Sequence, residues 1–101
     1  MNKSKDIEYQ VSKDGIGEVY VHAISSWNGF DEILDYLLKV YSVEIISNEE
    51  KYFHRVALLK VNGYQLIFSH DDLFGNVLTG HDISSVSFLK ELSYKMRIDL
   101  K

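Results

Sequence analysis

The sequence predicts an α+β two-layer sandwich, an antiparallel sheet with two helices on one face and the element order ββαββββα. Three observations predict it. Asn62-Gly63 separates two apolar runs. That dipeptide is the strongest short-range hairpin signal, because a type I′ turn needs positive φ at both central positions. Phe30, Ile33, Leu34, Leu37 and Tyr41 recur at helical spacing. Ile83, Val86, Leu89, Leu92 and Met96 do the same near the end of the chain.

Taken in order, Met1 to Lys5 reads as a frayed start, and Ile7, Tyr9 and Val11 alternate with polar neighbours as a half-buried strand does. Lys13-Asp14-Gly15 signals a turn. Glu18 to Ile24 reads as a second strand, with Val19, Val21 and Ala23 on one face and Tyr20, His22 and Ile24 on the other. The two strands make an N-terminal hairpin. Ser25 to Asn28 offers cap residues for a helix from Phe30 to Tyr41, and Trp27 is expected to staple its start onto the core. Asp31, Glu32 and Asp35 sit in the early turns and Lys39 near the end, as the helix dipole favours.

Val43, Ile45 and Ile46 suggest a third strand, followed by a polar turn at Asn48-Glu49-Glu50-Lys51. Tyr52 to Val61 and Tyr64 to His70 form the arms of the central hairpin. Asp71 to Asn76 is a tight connection, Asn76 to Thr79 a short strand, and Gly80 its end. Asp82 or Ser84 can cap the last helix, with Lys90, Lys95 and Arg97 toward its C-terminal half.

The two-residue turn fixes a register. Val61 faces Tyr64, Leu59 faces Leu66, Ala57 faces Phe68 and Arg55 faces His70. This face is apolar except at its far end and is assigned to the helices. The other face pairs Lys60 with Gln65, Leu58 with Ile67, Val56 with Ser69 and His54 with Asp71. An apolar pair in a polar surround suits an exposed sheet face or a docking patch.

At 101 residues the chain is read as a single domain, residues 1–101, large enough for one core without staples. It has no cysteine, which excludes disulfides and thiolate metal sites. A formal net charge of −4 argues against nucleic acid as a partner, since phosphate binding needs a positive surface. No apolar run approaches the ~20 residues of a membrane span. MNKSKDIEYQ lacks the apolar core of a secretory signal. The expected location is therefore the cytoplasm, without membrane association. Oligomeric state is left open, because an edge strand can pair with a copy of itself.

The register gathers His54, Arg55, His70 and Asp71 at one end of the hairpin, with Asp72 following. Glu49, Glu50 and His81 are expected nearby. Three readings compete. His and carboxylate ligands can hold a divalent ion, but their spacing here matches no known motif. A His–Asp pair can orient an imidazole as a base, but the serines stand in no nucleophile setting. The third reading is structural or binding. Asp71 turns the chain through backbone N–H groups, Gly75-Asn76 supplies a left-handed position, and Asp72 faces solvent. It is favoured, and it implies no catalytic residue, no metal and no cofactor. Trp27 and the seven tyrosines suit core and strand positions as well as an interface. His22 falls on the more polar face of its strand and is expected to be solvated.

The segment Leu58 to Asn76, LLKVNGYQLIFSHDDLFGN, followed by a terminal helix, resembles a pattern in small bacterial immunity proteins. These are the cognate inhibitors of contact-dependent growth inhibition toxins and related polymorphic toxins. The residues that carry the resemblance are His70, Asp71, Asp72, Gly75 and Asn76. It implies a cytoplasmic, non-enzymatic inhibitor that binds one toxin domain. Such toxins are often nucleases with basic active sites, which an acidic inhibitor can block and approach rapidly by steering. The expected partner contacts are Asp71, Asp72, Glu49, Glu50 and Tyr52. The alternatives are a small metal- or acid/base-dependent enzyme using His54, His70 and Asp71, or a regulatory subunit docking through the open sheet face.

Overall fold

Six strands and two helices form in the predicted order. The computed structural model describes residues 6–52 and 54–100. The elements are β1 (Ile7–Val11), β2 (Gly17–Val21), α1 (Gly29–Val40), β3 (Val43–Lys51), β4 (His54–Val61), β5 (Tyr64–Asp71), β6 (Gly75–Gly80) and α2 (Val86–Asp99). The expected fraying at Met1 to Lys5 lies outside the described residues. One sheet runs in the order β1-β2-β6-β5-β4-β3, and its pairings are antiparallel.

The central hairpin has the predicted register, from Val61 opposite Tyr64 to Arg55 opposite His70. Asn62 has φ +51° and Gly63 φ +89°. Both lie in the left-handed region that a type I′ turn requires. Because side chains alternate along a strand, this register puts Ala57, Leu59, Val61, Leu66 and Phe68 on one face, all buried. Phe30, Ile33 and Leu37 of α1 and Leu89, Leu92 and Met96 of α2 complete that core. Phe30 stacks on Phe68 at 4.1 Å between ring centroids. The Tyr9 hydroxyl donates to Val86 O at 3.3 Å, and Arg97 Nε donates to Ile7 O at 2.9 Å, which tie α2 to β1.

Several boundaries differ from the sequence reading. The second strand stops at Val21 rather than Ile24, because Ile7 is the last β1 residue it pairs with. Beyond it the chain turns, with Ile24 N–H donating to Val21 O at 3.2 Å. The helix begins at Gly29, whose N–H donates to Ser26 Oγ at 3.0 Å. The final strand is longer than Asn76 to Thr79, spanning Gly75 to Gly80. Ile83 is not on the terminal helix stripe. It sits in a 3₁₀ turn over Ile83–Ser85, 66% exposed, and the α-helix starts at Val86. Asp82 caps that turn by accepting from Ser84 N–H at 2.9 Å.

The largest correction concerns Asn48 to Lys51. These residues are not a turn but the second half of β3, paired so that Glu49 faces Val56, Glu50 faces Arg55 and Lys51 faces His54. Tyr52 belongs to the hairpin connection, so β4 starts at His54 rather than Tyr52. Backbone pairing along β4 outweighs the low strand preference of Asn and Glu. The composition suits an edge, where charged side chains and a bulge discourage pairing with other chains. The bulge is present between Ile45 and Ser47.

Candidate functional site

The sheet end formed by the β3–β4 connection, the β5–β6 connection and the β2–α1 loop holds most residues singled out from sequence. Cross-strand pairing sets Glu50, Arg55, His70 and Asn76 in one row, on successive strands β3, β4, β5 and β6. The latter three are buried on the helix side.

Arg55 is held from several directions. Its Nη1 donates to Trp27 O at 3.2 Å and to Asp31 Oδ2 at 3.1 Å, and Nη2 donates to Asp31 Oδ1 at 2.9 Å. The guanidinium also lies 4.3 Å from the Phe30 ring centroid and 5.3 Å from that of Trp27. Among the described residues its Nε has no hydrogen-bond partner, and the nearest Glu50 carboxylate oxygen is 3.9 Å away. Hydrogen bonding from Arg55 holds the Asp31 carboxyl below the usual carboxylate range, and the same bond pushes the guanidinium up.

His70 is 4% exposed, and its Nδ1 lies 2.9 Å from Asn76 Oδ1. Asn76 Nδ2 donates to Ile24 O at 2.7 Å and to Ser26 O at 3.2 Å. Those two carbonyls accept only, so the amide nitrogen must face them and Oδ1 must face the imidazole. His70 therefore carries its proton on Nδ1. Trp27 packs edge-on against His70 at 5.5 Å between centroids. Two buried polar side chains thus fasten the β2–α1 loop to the sheet end.

The expected His54, His70 and Asp71 grouping does not form. His70 is turned to the helix side and bound to Asn76, while His54 lines the open face. Asp71 Oδ1 accepts from the N–H groups of Leu73 and Phe74 at 2.8 and 2.7 Å, an Asx turn. Gly75 follows at φ +71°, against Ser25, with no room for a Cβ. The left-handed position is Gly75 itself. Among the described residues, no group of three or more His, Cys, Asp or Glu is placed to hold a metal ion. His81 approaches Asp82 at 3.8 Å and stays apart from His70. His22 is exposed, as expected, but also pairs with Glu8 at 3.1 Å and stacks on Tyr20 at 5.8 Å.

Of the expected partner contacts, Glu49, Glu50, Tyr52 and Asp72 are exposed at this one sheet end, and Asp71 is half-buried beside them. Three large apolar side chains share this end. Tyr52 is 95% exposed on the β3–β4 connection. Leu73 is 88% and Phe74 57% exposed on the β5–β6 connection, where Phe74 meets the Tyr20 ring at 6.4 Å. Strands lie about 4.8 Å apart, so the two connections are separated by only roughly 10 Å. Sequence reasoning passed over Leu73 and Phe74. The available signal was an apolar pair inside an otherwise polar turn.

No described helix is long and apolar enough to cross a membrane. Compared with protein-family models, with curated proteins and with solved structures, the chain matches none.

Proposed function

We propose that this chain is a protein-binding inhibitor of the immunity type, which neutralises a basic, nuclease-like toxin domain through the hairpin-connection end of its sheet. The observation that carries this reading is the exposure of Tyr52, Leu73 and Phe74 among Glu49, Glu50 and Asp72. Protein interfaces centre on aromatic and aliphatic anchors within a polar rim. The carboxylates around these anchors favour a cationic partner and accelerate its encounter. A rigid base supports the connections, since Arg55, His70 and Asn76 lock the sheet end beneath them. In this reading the inhibitor acts in the cytoplasm by covering the partner's basic active site, with no catalytic step and no cofactor of its own.

The test is to mix the purified chain with toxin-like domains encoded by the neighbouring reading frames and measure nucleic-acid cleavage. A one-to-one complex with suppressed nucleic-acid cleavage supports the reading. Undiminished cleavage at a large molar excess of folded chain refutes it.

A further inference from the structure

Among the described residues, no helix covers the sheet face away from α1 and α2, and its charge is distributed unevenly. Tyr20, Val77, Ile67, Val56 and Leu58 occupy its centre across four strands. Carboxylates line both margins, with Glu8 and Glu18 on β1 and β2 and Glu44 and Glu49 on β3. Leu58 stands between two hollows. One, of about 260 Å³, is lined by Glu49, Lys51, His54 and Val56, and the other, of about 130 Å³, by Ile46, Gln65, Ile67 and His81.

We infer that this open face is a second docking surface, and that its occupant is an amphipathic helix whose apolar stripe is flanked by Lys and Arg. Charge selects the occupant. Four glutamates and Asp71 stand against Lys51 and Lys60 on this face, a net charge of −3 with His neutral. Two copies packed face to face would bring like-charged margins together, which disfavours self-association here. A nucleic acid is disfavoured for the same reason. A cationic flank on each side of an apolar stripe laid over Leu58 meets Glu44 and Glu49 on β3 and Asp71 on β5. The spacing also fits. Helix side chains at i and i+4 are about 6 Å apart along the axis, close to the roughly 6.7 Å repeat of same-face strand residues. Neighbouring side chains of the stripe can straddle Leu58 and enter the two hollows. This surface adjoins the end that carries Tyr52, Leu73 and Phe74 and shares Glu49 with it, whereas Leu58 and Ile67 belong to the open face alone, so variants at those two positions test it separately.

The experiment is a heteronuclear NMR titration of the full chain with a synthetic amphipathic helical peptide of Leu, Lys and Arg. A counterpart with Glu in place of Lys and Arg is the control. The expected result is saturable shifts centred on Val56, Leu58 and Ile67, absent with the acidic peptide. Binding is expected to weaken at least tenfold in Ile67→Lys. Leu58→Lys, at an exposed side chain, is expected to do the same with an unchanged wild-type-like spectrum. Failure to saturate, equal binding of the acidic peptide, or shifts centred on Leu73 and Phe74 would overturn the inference. So would a dimer in the free protein that Leu58→Lys abolishes, since a second copy would then be the occupant.

Discussion

The His70 imidazole donates from Nδ1 to Asn76 Oδ1 at 2.9 Å, and the Asn76 amide passes the connection on to two carbonyls of the β2–α1 loop. One buried amide therefore satisfies three groups. Asn76→Ala removes the partner of all three, leaving the His70 nitrogen unpaired in a buried site and the Ile24 and Ser26 carbonyls unpaired in a partly buried one. Each orphaned buried group costs about 1–3 kcal/mol, with incomplete additivity, so a loss of about 2–4 kcal/mol is expected in urea unfolding. Asn76→Asp is not expected to restore stability, because a carboxylate cannot donate to the carbonyls of Ile24 and Ser26. A change below about 0.5 kcal/mol, the range of ordinary surface substitutions, would show that the loop is held elsewhere.

The hairpin register makes a contrast between adjacent residues. Leu66 is buried beneath the helices, and Ile67 lies half-buried on the open face. Leu66→Ala is expected to cost about 2–5 kcal/mol. Ile67→Ala is expected to cost clearly less, because its side chain already meets solvent. Equal losses would contradict the assignment of faces.

The parts of this fold that were legible from sequence are those that local chemistry dictates. Asn62-Gly63 specifies a turn, the turn specifies a register, and the register tells the buried face from the open one. The stripe through Phe30, Ile33 and Leu37 likewise specifies a helix. The second half of β3 was not legible, because nothing within Asn48 to Lys51 favours a strand. Its conformation comes from the unpaired edge of β4, a tertiary partner that local composition does not encode. The candidate site divides in the same way. The Asx turn of Asp71 is a local property and was anticipated. The role of Asn76 depends on carbonyls about fifty residues earlier in the chain, at Ile24 and Ser26. The register groups His70 with Asp71 only by bringing both to one end of the hairpin. Strand alternation instead sends the two side chains to opposite faces.

Acid should weaken the Asp31 tie to Arg55. Hydrogen bonding from Arg55 holds the Asp31 carboxyl in the folded state below its ordinary pKa. Its contribution to stability is therefore present above the unfolded pKa and disappears as pH falls through the folded pKa. Stability is expected to fall from roughly pH 4 downward, and less steeply in Asp31→Asn. Asp82 and Asp99 are also depressed, so the acid slope is reduced rather than abolished. An identical slope in the variant would show that the pair does not couple to folding. Urea midpoints measured from pH 2 to 7 give the comparison.

Asp71 and Asp72 are adjacent but have different tasks. Asp71→Ala removes the acceptor of two backbone N–H groups and is expected to destabilise by about 1 kcal/mol. Asp72→Lys is expected to leave stability within about 0.5 kcal/mol of wild type. It should slow association with a basic partner, most clearly at low salt, since steering is screened beyond ~8–10 Å at higher ionic strength. Stopped-flow association and urea unfolding on both variants separate the two roles.

The most direct test of the inhibitor reading is the dissociation constant for a nuclease-like toxin domain that the chain inhibits, measured for wild type and for the triple variant Tyr52→Ala, Leu73→Ala, Phe74→Ala. All three side chains are exposed, so the variant is expected to unfold at the wild-type urea midpoint. Loss of apolar anchors is expected to weaken binding at least a hundredfold, about 2.7 kcal/mol, mostly through faster dissociation. Cleavage by the partner should return in parallel. Wild-type affinity and inhibition in the triple variant would contradict the assignment of this sheet end as the inhibitory surface.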